Sequence, residues 1–157
     1  MQLRPHQTRA FDSMQENDKG QIIVPTGGGK TYIMIADTLK RFKLPVAQTT
    51  VVVAPRILLA QQLCDDFMQH LKGRVCHAHS GETHYYSTTK SAQIANFFEG
   101  CKMLSENLIT FTTYHSLHKV LDSDAPIDAI YFDEAHNSVT RQFFPKAMAA
   151  SAIARKC

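Results

Sequence analysis

Short apolar runs that alternate with amphipathic stretches constrain this chain more than any other feature. Thr50 to Ala54 is a continuous, largely β-branched run, the pattern of a strand covered on both faces. Ile22-Ile23-Val24, Leu108 to Phe111 and Ile127 to Phe132 read the same way, with Arg74 to His79 as a weaker strand. Between them the period changes. Lys30 to Phe42 sets Tyr32, Ile35, Ala36 and Leu39 on one helical face, and Ile57 to Leu71 sets Ala60, Leu63, Cys64, Phe67, Met68 and Leu71 at three-and-four spacing. Further helices are expected after Arg4-Pro5, with Ala10, Phe11 and Met14 on one side, through Ile94, Phe97 and Phe98, and from Phe144 to Arg155 with Pro145 in its first turn. Strands alternating with such helices predict an α/β fold of three layers, a parallel sheet sandwiched by helices. At 157 residues this is a single domain, 1–157, able to bury a core without covalent staples.

Two loops then carry the chemistry. The first, Val24-Pro25-Thr26-Gly27-Gly28-Gly29-Lys30-Thr31, joins an apolar run to a helix. Glycines let a backbone approach phosphate oxygens closely, the helix N-terminus favours the same anion, and a lysine reaches the terminal phosphates. The strict phosphate-loop pattern has a glycine where Val24 stands. The second, Asp133-Glu134-Ala135-His136, comes after the run Ile130-Tyr131-Phe132. Two acids at a strand's carboxyl end suit a magnesium partner (Asp133, with the Thr31 hydroxyl) and a group that orients or deprotonates water (Glu134). In open parallel sheets ligands bind at that carboxyl edge, so the two loops can meet there. Together they predict a domain that binds and hydrolyses ATP with Mg2+.

The remaining features exclude more than they add. Cys64, Cys76, Cys101 and Cys157 form no C-x-x-C pair, which favours a reducing interior. Cys64 falls on an apolar helix face and reads as core. On a strand His77 and His79 share one face while Cys76 and Ala78 share the other, so these residues and His84 do not make a metal cage. The polar N-terminus lacks the apolar segment of a signal peptide, and Val51 to Ala60 is broken by Pro55 and Arg56, so no membrane association is expected. The expected place of action is the cytoplasm, that of a host cell if the source is a virus. A net charge of +3 permits a nucleic-acid partner without suggesting one.

The two loops and the segments between them resemble the first motor domain of superfamily 2 helicases and translocases, in its DEAH-containing type III restriction subunit and UvsW-like branch. Leu3-Arg4-Pro5-His6-Gln7 looks like that branch's L-R-P-x-Q opening, Ala54-Pro55-Arg56 through Gln62 is similar to its motif Ia, and Thr112-Thr113-Tyr114-His115-Ser116-Leu117 to its motif Ib. The resemblance implies a RecA-like P-loop NTPase fold. It also implies an adenine-reading Gln7 with Arg4 beside it, phosphate binding by Thr26, Gly27, Gly28, Gly29, Lys30 and Thr31, and catalysis by Lys30, Asp133, Glu134 and His136. Nucleic-acid contacts would come from Pro55, Arg56, Thr113, Tyr114 and Ser116. Read without the family, Arg56 is a solvated turn residue, and Thr113 with Ser116 is a helix cap and its partner. Glu82, beside Ser80-Gly81, is a weaker candidate for a further loop on the strand.

The family continues past this point with a Ser/Thr-Ala-Thr strand and a second RecA-like domain in the same chain. The sequence in hand reads as a helicase ATP-binding domain truncated before that strand, with the second motor domain absent and feeble hydrolysis alone. The leading expectation is the ATP-binding domain of a DNA helicase or translocase. An RNA-directed DEAH-type helicase and a non-catalytic nucleotide-binding interaction module stand as alternatives.

Overall fold

The computed structural model describes residues 1–136 and 142–157. Its strands are β1 (Thr49–Ala54), β2 (Arg74–Ala78), β3 (Tyr86–Ser87), β4 (Leu108–Thr113) and β5 (Ala129–Phe132). They form one sheet in the order β3-β2-β4-β1-β5, parallel throughout. The helices are α1 (Pro5–Glu16), α2 (Lys30–Phe42), α3 (Ile57–Met68), α4 (Ser91–Met103), α5 (Leu117–Asp122) and α6 (Phe144–Ile153). Parallel neighbours need crossovers, and these helices supply them while covering both faces.

The pleat of β1 shows how the layers arise. Val51 and Val53 face a cluster with Ile94 and Phe98 of α4, Leu117 and Val120 of α5 and Ala150 of α6. Val52 and Ala54 face the opposite cluster, with Ile35 of α2 and Ala60, Leu63 and Phe67 of α3. Each valine is wholly buried, and burying such a side chain contributes roughly 1.5–3 kcal/mol. Phe67 packs edge-on against Phe111 at 5.6 Å. Strand starts are fixed by side chains: Asn107 Oδ1 accepts the Gln48 amide and Asp128 Oδ2 accepts the Thr49 amide, each at 2.8 Å. That register sets which residues emerge at the carboxyl edge. Among the described residues no helix is long and apolar enough to cross a membrane.

Two expectations need correction. Ile22-Ile23-Val24 is not a strand; Ile22 is 37% and Ile23 86% exposed. The outer edge of β5 pairs instead with the segment after α6, where the Ile130 amide donates to the Lys156 carbonyl at 2.9 Å and the Lys156 amide to the Asp128 carbonyl at 3.0 Å. Cys157 in turn bonds to Asp18 and Gly20, so the run ahead of the glycine loop has no strand beside it among the described residues. The buried face of α2 is also rotated from the expected one. Ile33, Met34, Ile35, Asp37 and Thr38 point inward, while Tyr32 is 46% exposed and meets the His70 ring edge-on. The elements at Leu108, Ile57 and Phe144 start where expected, and Cys64 is core.

Candidate functional site

The glycine loop turns through left-handed backbone at Gly27 (φ +76°) and Gly29 (φ +75°) and feeds directly into α2. Gly29 is the residue before the helix, and no side chain caps the first turn. The Tyr32 amide donates to the Gly29 carbonyl at 3.2 Å, and with no side-chain cap this N-terminus has the form that receives an anion. The loop is tied to α1 by side chains. Gln7 Nε2 donates to the Gly28 and Gly29 carbonyls at 3.1 Å each, and Gln7 Oε1 accepts the Arg4 amide at 2.8 Å. His6 Nε2 donates to the Gly28 carbonyl at 2.8 Å. A Cβ at Gly29 would lie 2.2 Å from Gln7 Nε2, so the loop and Gln7 are packed without room for a side chain.

At the other end of the site, β5 delivers Asp133 and Glu134. The Asp133 amide donates to the Val53 carbonyl, and its own carbonyl accepts the Tyr114 hydroxyl, both at 2.9 Å. Glu134 comes next, in the left-handed region at φ +52°, a conformation costing about 1–2 kcal/mol for a residue with a side chain. Its carboxylate meets Lys30 Nζ at 2.9 Å, 104 positions away in sequence, and His136 Nδ1 lies 3.5 Å from its other oxygen. The Lys30 hydrogen bond raises the Lys30 pKa and lowers that of Glu134. Both side chains are more than a third exposed, at 38% and 39%, so solvent screening keeps the pair's contribution within ~1 kcal/mol. It positions rather than stabilises.

Asp133 is held differently. Burial raises its pKa and the Lys30 charge pulls it back without cancelling the effect. A partly desolvated carboxylate beside a lysine charge has the chemistry of an oxygen ligand that a hydrated divalent cation would accept. Among the described residues there is no cluster of three or more His, Cys, Asp or Glu that would cage a metal outright. Thr26, Lys30, Asp133, Glu134 and His136 line one cleft of about 810 Å3, within the range of small-molecule sites. Of the glycine loop, Thr26 and Lys30 thus share a cleft with Asp133 to His136, while Gly27, Gly28, Gly29, Thr31 and Gln7 are not among its lining residues.

Sequence reasoning missed a polar hub behind this cleft. Asp37 of α2 is 1% exposed. One oxygen accepts Gln15 Nε2 of α1 at 2.9 Å and lies 3.5 Å from Lys156 Nζ; the other accepts Arg41 Nε at 3.2 Å and the Tyr131 hydroxyl of β5. Burial raises the Asp37 pKa, and hydrogen bonds from Tyr131 and Gln15 with the charges of Lys156 and Arg41 more than offset it, leaving it lowered. One carboxylate thus ties together the three elements that carry Gln7, Lys30 and Asp133. The available signal was an acid in line with Ile33 and Met34 on an otherwise apolar face.

The expected nucleic-acid residues lie along the same carboxyl edge but differ in access. Arg56, the residue before α3, is exposed and Pro55 is half-buried. Thr113 and Tyr114 are buried at 4% and 1% exposure. Thr113 Oγ1 accepts the Ser116 amide at 3.3 Å, which closes a turn ahead of α5 rather than capping it, since Ser116 is the residue before the helix and makes no side-chain cap bond. Ser116 is half-buried with His115 exposed beside it. Nearby, buried His77 and His79 share a hydrogen bond of 2.9 Å between their rings. Burial and the His79 neighbour lower the His77 pKa to about 4, so that pair is neutral near pH 7.

The family model described as the type III restriction enzyme, res subunit, matches residues 1–156. No curated protein matches the sequence. Among solved structures, a nuclease-deletion mutant of the type ISP restriction-modification enzyme LlaGI, in complex with a DNA substrate mimic, is similar at TM-score 0.79 and 23% identity, covering 99% of this chain and 17% of that one. The ATP-dependent type ISP enzyme LlaBIII bound to DNA gives TM-score 0.75, 19% identity and coverage of 99% and 12%. The Hef helicase domain of Pyrococcus furiosus gives 0.70, 20%, 98% and 31%. The chain therefore spans 12% to 31% of these neighbours. At such identities the likeness shows the fold, a RecA-like helicase domain.

Proposed function

The chain belongs to the type III restriction enzyme res-subunit family, and on that premise we propose that it is the ATP-binding motor domain of a DNA helicase or translocase. One observation carries the reading: a lysine from a glycine loop and a glutamate from a strand-end acid pair, 104 positions apart, meet at 2.9 Å in a single cleft. Thr26 to Thr31 cradle the phosphates and Gln7 reads the adenine edge, with Arg4 alongside. Lys30 exchanges Glu134 for the terminal phosphates, which frees Glu134 to orient water and take its proton. His136, 3.5 Å from Glu134, holds that carboxylate. Thr31 and Asp133 would hold magnesium, Asp133 through water, and the ion would supply neutralisation of phosphate charge.

Pro55 and Arg56, with Ser116 and the segment begun by Thr113 and Tyr114, form the contact to the nucleic-acid backbone, a role that positions a strand without reading its sequence. DNA is favoured over RNA because LlaGI and LlaBIII were solved with DNA or its mimic. Work on the strand requires closure against a second RecA-like domain, and the cytoplasm is the expected place. Lys30→Ala should weaken binding of a fluorescent ATP analogue at least ~100-fold, about 2.7 kcal/mol. Unchanged affinity would remove the phosphate role, and preferential stimulation by RNA in the two-domain motor would move the reading to an RNA-directed helicase.

A further inference from the structure

We infer that Tyr114 is a positioning residue that links the nucleic-acid segment to the acid pair. The inference rests on the proposed motor function for what that segment binds, and on geometry for the link itself. β4 and β5 are not neighbours; β1 lies between them. Tyr114 leaves the end of β4 with its amide on the Ala54 carbonyl at 3.2 Å, and its side chain spans β1 to place the hydroxyl 2.9 Å from the Asp133 carbonyl. The ring lies against Phe132 (6.0 Å between centroids) and Phe143 (5.5 Å) and is 1% exposed. Burial, and then the Asp133 and Glu134 charges, raise its pKa, so the phenol stays protonated and donates throughout the physiological range.

The bond matters because Glu134 is the next residue along the chain. The Asp133 amide is fixed by Val53 and its carbonyl by Tyr114, so Val53 holds the peptide plane before Asp133 and Tyr114 holds the plane that enters Glu134. Glu134 is left-handed, and a costly backbone conformation persists only where its surroundings over-determine it. On the other side, the next residues of the Tyr114 segment are exposed His115, with its ring 4.8 Å from Phe143, and Ser116 at the start of α5. A strand that shifts this segment draws the hydroxyl with it and re-aims Glu134 away from Lys30. Coupling between sites is a differential contact of this kind, carried by a defined element.

Tyr114→Phe removes the hydroxyl and keeps the ring. The readout is the affinity for a fluorescent ATP analogue, measured without and with saturating oligo-dT; without it, that affinity should stay within about twofold of the unmodified chain. The mutual enhancement of the two ligands should fall from about five- to tenfold to near one, and the backbone resonances of Glu134 should lose their left-handed signature. A purely structural tyrosine would lower the melting temperature and leave the enhancement ratio and those resonances alone, which would overturn the inference. Should the variant fail to fold, the unmodified chain decides it. Saturating oligo-dT that moves the Glu134 amide and a 13C-labelled Tyr114 ring together supports the link; binding without that movement overturns it. Failure of the oligonucleotide to bind removes the nucleic-acid reading and the link with it, whereas loss of ATP binding alone speaks only against the nucleotide reading.

Discussion

Val51 to Val53 sit wholly buried between two strands, whereas Ile23, equally β-branched and equally close to a functional loop, is 86% exposed. The difference lies in what flanks them. β1 has β4 on one side and β5 on the other, while the run from Ile22 to Val24 has no strand alongside among the described residues. Consequently the two loops that leave these runs are placed by different means. Pro55-Arg56 is aimed by the sheet. The glycine loop is aimed by side chains: Gln7, His6, Lys30 to Glu134 and, behind them, Asp37. Packing holds one half of the carboxyl edge, and polar tethers hold the other.

The comparison can be broken most forcefully at Asp37. Asp37→Ala leaves Arg41, Lys156 and the Tyr131 hydroxyl around a buried vacancy, at an expected cost of about 3–5 kcal/mol in urea unfolding near neutral pH. The pH dependence has a defined sign. Because the folded pKa of Asp37 lies below its ordinary 3.8, the contribution is in place above that value and fades as pH falls through the folded one. The margin of the unmodified chain over the variant should hold at about pH 5 and shrink toward about pH 2; a margin independent of pH would remove the ionised carboxylate from the account. Next in size is a matched pair. Val52→Thr buries a hydroxyl between strands and should cost about 1–3 kcal/mol, whereas Ile23→Thr should stay within about 0.5 kcal/mol. Equal costs in denaturant titrations would mean that the Ile23 run is held as firmly as β1. The smallest effect is expected at Gln7. Gln7→Ala should weaken ATP-analogue binding about tenfold, ~1.4 kcal/mol, and speed amide exchange at Gly29 and Lys30; exchange unaltered at both would show that α1 does not hold the loop.

Legibility in the sequence divides along the same line. Local pattern is enough where a helix packs by one apolar stripe, so α3 and its Ala60, Leu63, Cys64 and Phe67 face are readable directly. β1 is readable because a continuous β-branched run has few other uses. The Ile22 run has the same local signal, yet strand formation needs a partner whose position no local pattern specifies. The rotation of α2 was hidden for a related reason: an aspartate turned inward looks wrong until Gln15, Tyr131 and Lys156, far apart in sequence, converge on it. The two chemical loops announce themselves because glycine, lysine and paired acids are costly to place without a use. Tyr114 is singled out only by the resemblance, as a nucleic-acid contact, and its hydroxyl shows its partner only once Asp133 is beside it.

The close approach of Gln7 to the glycine loop also bears on how sequences of this kind can vary. Any side chain at position 29 would have to displace the amide of Gln7, 2.2 Å from where its Cβ would be, and would do so on backbone at φ +75°. A shorter residue at position 7 relieves the first obstacle and leaves the second. Positions 7 and 29 are therefore not independent letters: the glycine can be kept while the glutamine changes, but not the reverse.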